Sequence, residues 1–175
     1  MARPFFDRVM KQVVIHTDGA AKGNPGRGGF GVVLEHGGRR REISGGFERT
    51  TNNRMELLAA ISGLEALKQS CRVTLHSDSR YLVDAMSKGW LRGWKARGWS
   101  RAKGQHLKNA DLWKRLAAAA DRHELEWRWV KGHAGHQENE RCDGLADAAA
   151  RAEELATDQG FLEEEERVRS QGDLL

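Results

Sequence analysis

The sequence predicts an α/β fold, a mixed β-sheet flanked by helices, and three observations carry that expectation. Three strand-like runs crowd into the first 47 residues, separated by glycine-rich breaks. Two later strand-like runs alternate with stretches of helical periodicity, and 175 residues suit a single domain better than two.

Residues 12–18 (QVVIHTD), 29–35 (GFGVVLE) and 40–47 (RREISGGF) read as strands, interrupted by AAKGNPGRGG and EHGGR. Such short breaks favour an antiparallel meander. Asn53 opens a helix with Glu56 three residues on, a capping-box spacing, and the periodicity runs to about Gln69. RVTLHSD (72–78) reads as a buried strand, a helix starts near Ser79, and another spans about Asn109 to Asp121. LEWRWV (125–130) alternates like a strand, and Glu138 to about Leu155 is helical, with Leu145, Ala146, Ala149 and Ala150 on its apolar side. Helices between later strands act as crossovers, so those strands run parallel.

Charge divides the chain. Residues 151–175 carry three arginines against eight carboxylates, a net of −5, which leaves +9 of the overall +4 on the rest. A body so basic points to a polyanionic partner. The acidic end, a like-charge block without apolar periodicity, predicts a disordered tail over 153–175 behind a domain at 12–152, with a short extension at 1–11. The opening residues resemble no export signal, no run is apolar enough to span a bilayer, and Cys71 and Cys142 give little reason for a disulfide. A cytoplasmic protein with no membrane partner is expected.

Two strand ends repeat one pattern, Ile15-His16-Thr17-Asp18 and Leu75-His76-Ser77-Asp78. On parallel neighbours about 4.8 Å apart, a period of two brings both aspartates to one face at the C-terminal edge, where ligands bind open α/β sheets. Either Asp alone could simply cap the next turn. Glu56 shares a helical line with Ala60, Gly63 and Leu67, at the centre of an apolar arc. A carboxylate there needs a cation or exposure at the first turn. In KGHAGHQENERCD, a loop feeds a helix with Asn139, Asp143 and Asp147 at i+4 intervals, a spacing at which like charges repel. Zinc on His133, His136 and Cys142 is the rival reading, but the spacing matches no common finger and clustered oxygens favour magnesium or manganese.

TDGAAKGNPGRGG, TTNNRMEL, SDSRYL, KARGW and WVKGHAGHQENERCD together resemble the bacterial type 1 ribonuclease H family over about residues 11–150. The resemblance implies a five-stranded mixed sheet and endonucleolytic cutting of the RNA strand of RNA/DNA hybrids to 5′-phosphate and 3′-hydroxyl ends. It also implies two Mg²⁺ ions, with Mn²⁺ as a substitute, held by Asp18, Glu56, Asp78 and Asp143. His133 then assists the attacking water or product release, and Asn139 supports the site. Asn24, Asn52 and Asn53 contact the minor groove, with Thr51 near a DNA phosphate and Ser79 also at the substrate. Arg80, where the family often has Gln, leaves contact at that point open.

Between Lys88 and Lys108 there is no acidic residue, while Lys95, Arg97, Arg101 and Lys103 interleave with Trp90, Trp94 and Trp99. The stretch resembles the family's basic protrusion, with cations for phosphates and indoles for sugars or packing. A monomer without an obligate protein partner is expected. The rival functions are a hybrid-binding module without catalysis and another nuclease or integrase-like enzyme with the same acidic clusters.

Overall fold

In a computed structural model, which describes residues 9–172, β1 (Lys11–Lys22), β2 (Gly26–His36) and β3 (Arg39–Thr50) form the antiparallel meander. β4 (Cys71–Ser77) lies parallel to β1, and β5 (Glu124–Trp129) parallel to β4, giving the order β3-β2-β1-β4-β5. The strands outrun the sequence expectation because the glycine-rich stretch between β1 and β2 is itself mostly strand, with only residues 23–25 left to turn the chain. Within that stretch a methyl on Gly28 would strike the Thr50 side chain, and glycines at and beyond its end meet a helix. A methyl on Gly29, Gly31 or Gly46 would strike the backbone of α5 (Gln137–Ala150), which lies flush across β1, β2 and β3.

α1 (Asn52–Glu65) covers the other face together with α4 (Ala110–Ala120). Ile15, Val32, Ile61, Leu64, Leu75 and Trp113 are buried among them. α1 is capped by Thr51, whose side chain accepts a hydrogen bond from the Arg54 N–H, so the helix starts one residue earlier than the Asn53 expectation and stops at Glu65 rather than near Gln69. Lys68, Gln69 and Ser70 are all exposed and offer no apolar face to continue it. Ser79 caps α2 (Arg80–Ser87), and Gly89, at φ 76°, turns the chain into α3 (Trp90–Ala96).

The acidic end overturns the expectation of disorder. Ala156 exchanges two backbone hydrogen bonds with Gly46 and Glu48 beside β3, each 2.9 Å, and α6 (Gln159–Gly172) follows. Phe161 is buried, and so is Asp158, which accepts from the buried Arg54 guanidinium at 2.7 and 2.9 Å while Asp111 takes its other edge. Two isolated anchors leave no apolar period, and the cation that neutralises Asp158 is remote in sequence, so local charge counting misread the segment. Residues 1–8 of the expected N-terminal extension and 173–175 of the tail lie outside the described residues.

Candidate active site

The register between β1 and β4 pairs Ile15 with Leu75, His16 with His76 and Thr17 with Ser77. The two histidine rings stack, with centroids 4.5 Å apart, and two residues further on the same parity brings Asp18 and Asp78 together at the strand ends. Glu56 arrives from the first helical turns of α1. Gly19 makes that approach possible, since a methyl there would collide with the Met55 backbone and the Glu56 nitrogen. One oxygen each of Asp18, Glu56 and Asp78 can then lie within 4.8 Å of the others. Asp143, on α5, lines the same cavity of about 480 Å³.

This crowd of carboxylates cannot carry its full charge alone. Burial, then Asp78, then Asp143, pushes the Asp18 carboxyl up to about 8, and burial followed by the Asp18 charge holds Glu56 well above the ordinary carboxylate range. Glu56 Oε2 is buried without a hydrogen-bond partner. An all-oxygen donor set with an unpartnered buried oxygen fits a hard divalent cation, which takes the place of the missing protons. The zinc trio is not gathered: Cys142 is buried, donating through Sγ to the His16 carbonyl, its thiol pushed up to about 12 by burial, while His133 and His136 are exposed.

Around the carboxylates the structure gathers His133, Ser79, Asn52 and Asn53 on the cavity wall. His133 sits at φ 54° on an exposed loop, and Gly132 before it packs where a methyl would strike the Asp78 carboxylate. Asn52 is pinned by two contacts, its N–H donating to Asn24 Oδ1 at 3.0 Å and its Oδ1 accepting from the Ala21 N–H. Asn139 is buried one turn before Asp143. Asn24 and Thr51 line a neighbouring groove, and Asn53 lines both cavities.

Sequence reasoning missed Trp129. Its indole N–H donates to the Asp78 carbonyl at 2.9 Å, and the Arg80 guanidinium lies 3.7 Å from its ring centroid, on the cavity rim. The alternation of LEWRWV announced a strand there but not which indole would reach across. In the basic segment Lys95, Arg97, Arg101 and Lys103 are exposed and none lines the carboxylate cavity. Trp90 is exposed, whereas Trp94 leans on Trp113 with centroids 5.0 Å apart and serves packing. Lys95 reaches Asp121 at 3.7 Å.

A profile of the RNase H family matches residues 10–151. The chain belongs to the ribonuclease H family. A ribonuclease H of Syntrophus aciditrophicus (strain SB) is 57% identical over 151 residues, spanning 86% of this chain and 87% of that one. Among solved structures, LC9-RNase H1, a type 1 RNase H with the type 2 active-site motif, shares 37% identity at a TM-score of 0.74, covering 82% of this chain and 74% of that one. LC11-RNase H1, solved in complex with RNA/DNA hybrid, shares 26% identity at a TM-score of 0.60, covering 79% and 96%. The ribonuclease H match takes in β1 to α5 and leaves α6 outside it.

Proposed function

We propose that this ribonuclease H family member hydrolyses the RNA strand of RNA/DNA hybrids at the Asp18–Glu56–Asp78–Asp143 site, leaving 5′-phosphate and 3′-hydroxyl ends. The observation that carries the reading is the carboxylate trio within 4.8 Å, with Glu56 Oε2 buried and unpartnered beside the exposed Asn52 and Asn53. The four carboxylates would hold two Mg²⁺ ions, with Mn²⁺ as a substitute. When bound there, such ions would supply Lewis acidity toward the attacking water and the departing 3′ oxygen. His133, exposed on its loop at the cavity wall, moves a proton at the water or the departing oxygen. Asn24, Asn52 and Asn53 read the 2′-hydroxyl side of the minor groove, Thr51 and Ser79 hold backbone, and Asn139 steadies Asp143. The protein acts as a monomer in the cytoplasm in this reading.

The reading is tested by incubating hybrid, duplex DNA and duplex RNA with the protein and Mg²⁺. Only the hybrid is cut, and a hybrid whose RNA carries 2′-O-methyl groups throughout resists, because the hydroxyl donor is lost and the groove crowded. Equal cutting of duplex DNA overturns hybrid selectivity, and efficient cutting of the methylated hybrid overturns readout by the three asparagines.

The basic segment grips phosphates away from the chemistry. Replacing Lys95, Arg97, Arg101 and Lys103 by Ala lowers the slope of log affinity against log salt by about three units, each lost phosphate contact removing roughly 0.9 and Lys95 less because Asp121 shares it. KM rises while kcat stays within about twofold, the pattern of uniform binding. A wild-type slope assigns the segment to packing alone.

A further inference from the structure

A groove of about 630 Å³ runs beside the carboxylate cavity, and Asn53 lines both. Asn24, Thr51 and Asn53 line it together with Glu164 and Glu165 of α6, and the cations Lys108 and Arg169 reach it as well. The two carboxylates are not idle there. Glu165 takes the Arg49 guanidinium with both oxygens, at 3.1 Å from Nε and 2.6 Å from Nη2. Glu164 accepts from the backbone N–H of Asn109 at 3.2 Å and lies 3.3 Å from His106 Nε2. A forked guanidinium and a backbone N–H are also the donors by which proteins hold phosphodiesters.

α6 presents these carboxylates from a fixed base. Asp158 and Phe161 anchor the start of the helix, and Gly160 packs where any methyl would strike Asp111 and the Arg54 guanidinium. Glu164 and Glu165 follow within the next two turns, so they reach the groove without the rest of the helix having to move. Of the other two glutamates of the run, Glu163 meets Gln159, whereas Glu166 pairs with Arg169, which itself lines the groove.

We propose that α6 is a built-in competitor of the substrate: Glu164 and Glu165 occupy a strand-phosphate position beside Thr51 and Asn53 and thereby set how tightly the protein takes a nucleic-acid strand. The inference rests on the hybrid-cleaving reading of the neighbouring site. A strand entering the groove must lift the two carboxylates off Arg49 and Asn109, or lie beside them without reaching those donors. Arg49 and Glu165 are solvent-accessible and such pairs are weak, so the contact acts as a reversible brake rather than a lock.

The test measures hybrid affinity of the full chain in metal-free, low-salt buffer, for the wild type and two charge-matched double variants. Glu164→Gln with Glu165→Gln binds about tenfold more tightly than the wild type, because two like charges are removed from the strand's path. Glu153→Gln with Glu154→Gln, which loses the same charge at two exposed positions outside the groove, changes affinity less than about twofold. Thermal unfolding of each variant reports that α6 stays docked, since Asp158 and Phe161 are untouched. Equal tightening in both variants reduces the effect to net charge and overturns the proposal. Weaker binding in the first variant also overturns it, by making the carboxylates part of a productive groove. Wild-type protein that binds duplex DNA as well as hybrid overturns instead the reading on which the proposal rests, so the two failures are distinct.

Discussion

Asp18→Asn abolishes hybrid cleavage, lowering kcat by at least about a thousandfold, or about 4 kcal/mol of barrier, while hybrid binding in metal-free buffer survives or improves. The Asp18 carboxyl feels the charges of both Asp78 and Asp143, so the substitution removes the member of the cluster on which the others act. The same substitution has an opposite effect on stability, and its sign follows from proton linkage. With its carboxyl at about 8 in the metal-free fold against an ordinary 3.8, Asp18 holds a proton that the unfolded chain has released. Stability conferred by that proton is complete below about pH 4 and is lost as pH rises to about 8. Asn at this position cannot lose a proton, so the metal-free variant melts a few degrees above the wild type at pH 8, equivalent to about 1 kcal/mol. Mg²⁺ narrows the gap, because it binds and stabilises the wild type more. Near-normal turnover of the variant sinks the metal assignment, and a variant melting below the wild type at pH 8 sinks the account of repulsion.

Asp158→Ala destabilises the fold by about 3 to 5 kcal/mol, the usual cost of leaving a buried charge without its partner. The Arg54 side chain is 1% exposed and Asp158 is 9% exposed, whereas Asp111, at 46%, keeps only the outer edge of the guanidinium. Asp158 also accepts from the Thr50 hydroxyl at 2.7 Å and caps α6 through the Phe161 N–H, so its loss frees β3, α1 and α6 together. Urea denaturation measures the effect, and a loss below about 1 kcal/mol shows that Asp111 and water suffice. Cutting the chain after Ala152 removes the same partner together with Phe161, so a truncation that looks harmless in the sequence is destabilising in the structure.

What was legible in the sequence was local. The repeated steps ending in Asp18 and Asp78 declare their strands, their shared parity and their common edge within four residues each, and the register bears that out. Glu56 was legible because its place on an apolar arc is a contradiction within one helix. The glycine-rich stretch just before Gly29 was misleading for the opposite reason: Gly28 is extended where the side chains of Thr50 and Met55 pack on it, and both lie more than 20 residues further along the chain. Asp158 and Arg54 are 104 positions apart, and neither has a local sign of its partner. Trp129 and Asp78 are 51 positions apart and meet only through the parallel pairing of β4 and β5.

Gly19 limits how the site can vary. The clearance between β1 and the first turns of α1 is set there by one main chain resting on another, so the spacing of the Asp18 and Glu56 backbones is gauged by van der Waals contact between main chains. Side chains that drift elsewhere, on α6 or along the basic helix, can alter how firmly a strand is held without altering that gauge. Mg²⁺ at about 2.1 Å and Ca²⁺ at about 2.4 Å from their oxygens differ by little more than a bond-length adjustment. Under the proposed metal reading, an abutment of two main chains holds the carboxylate-bearing backbones at a spacing that side-chain exchange elsewhere does not reset, and a larger residue at position 19 is expected to loosen the site for any divalent ion.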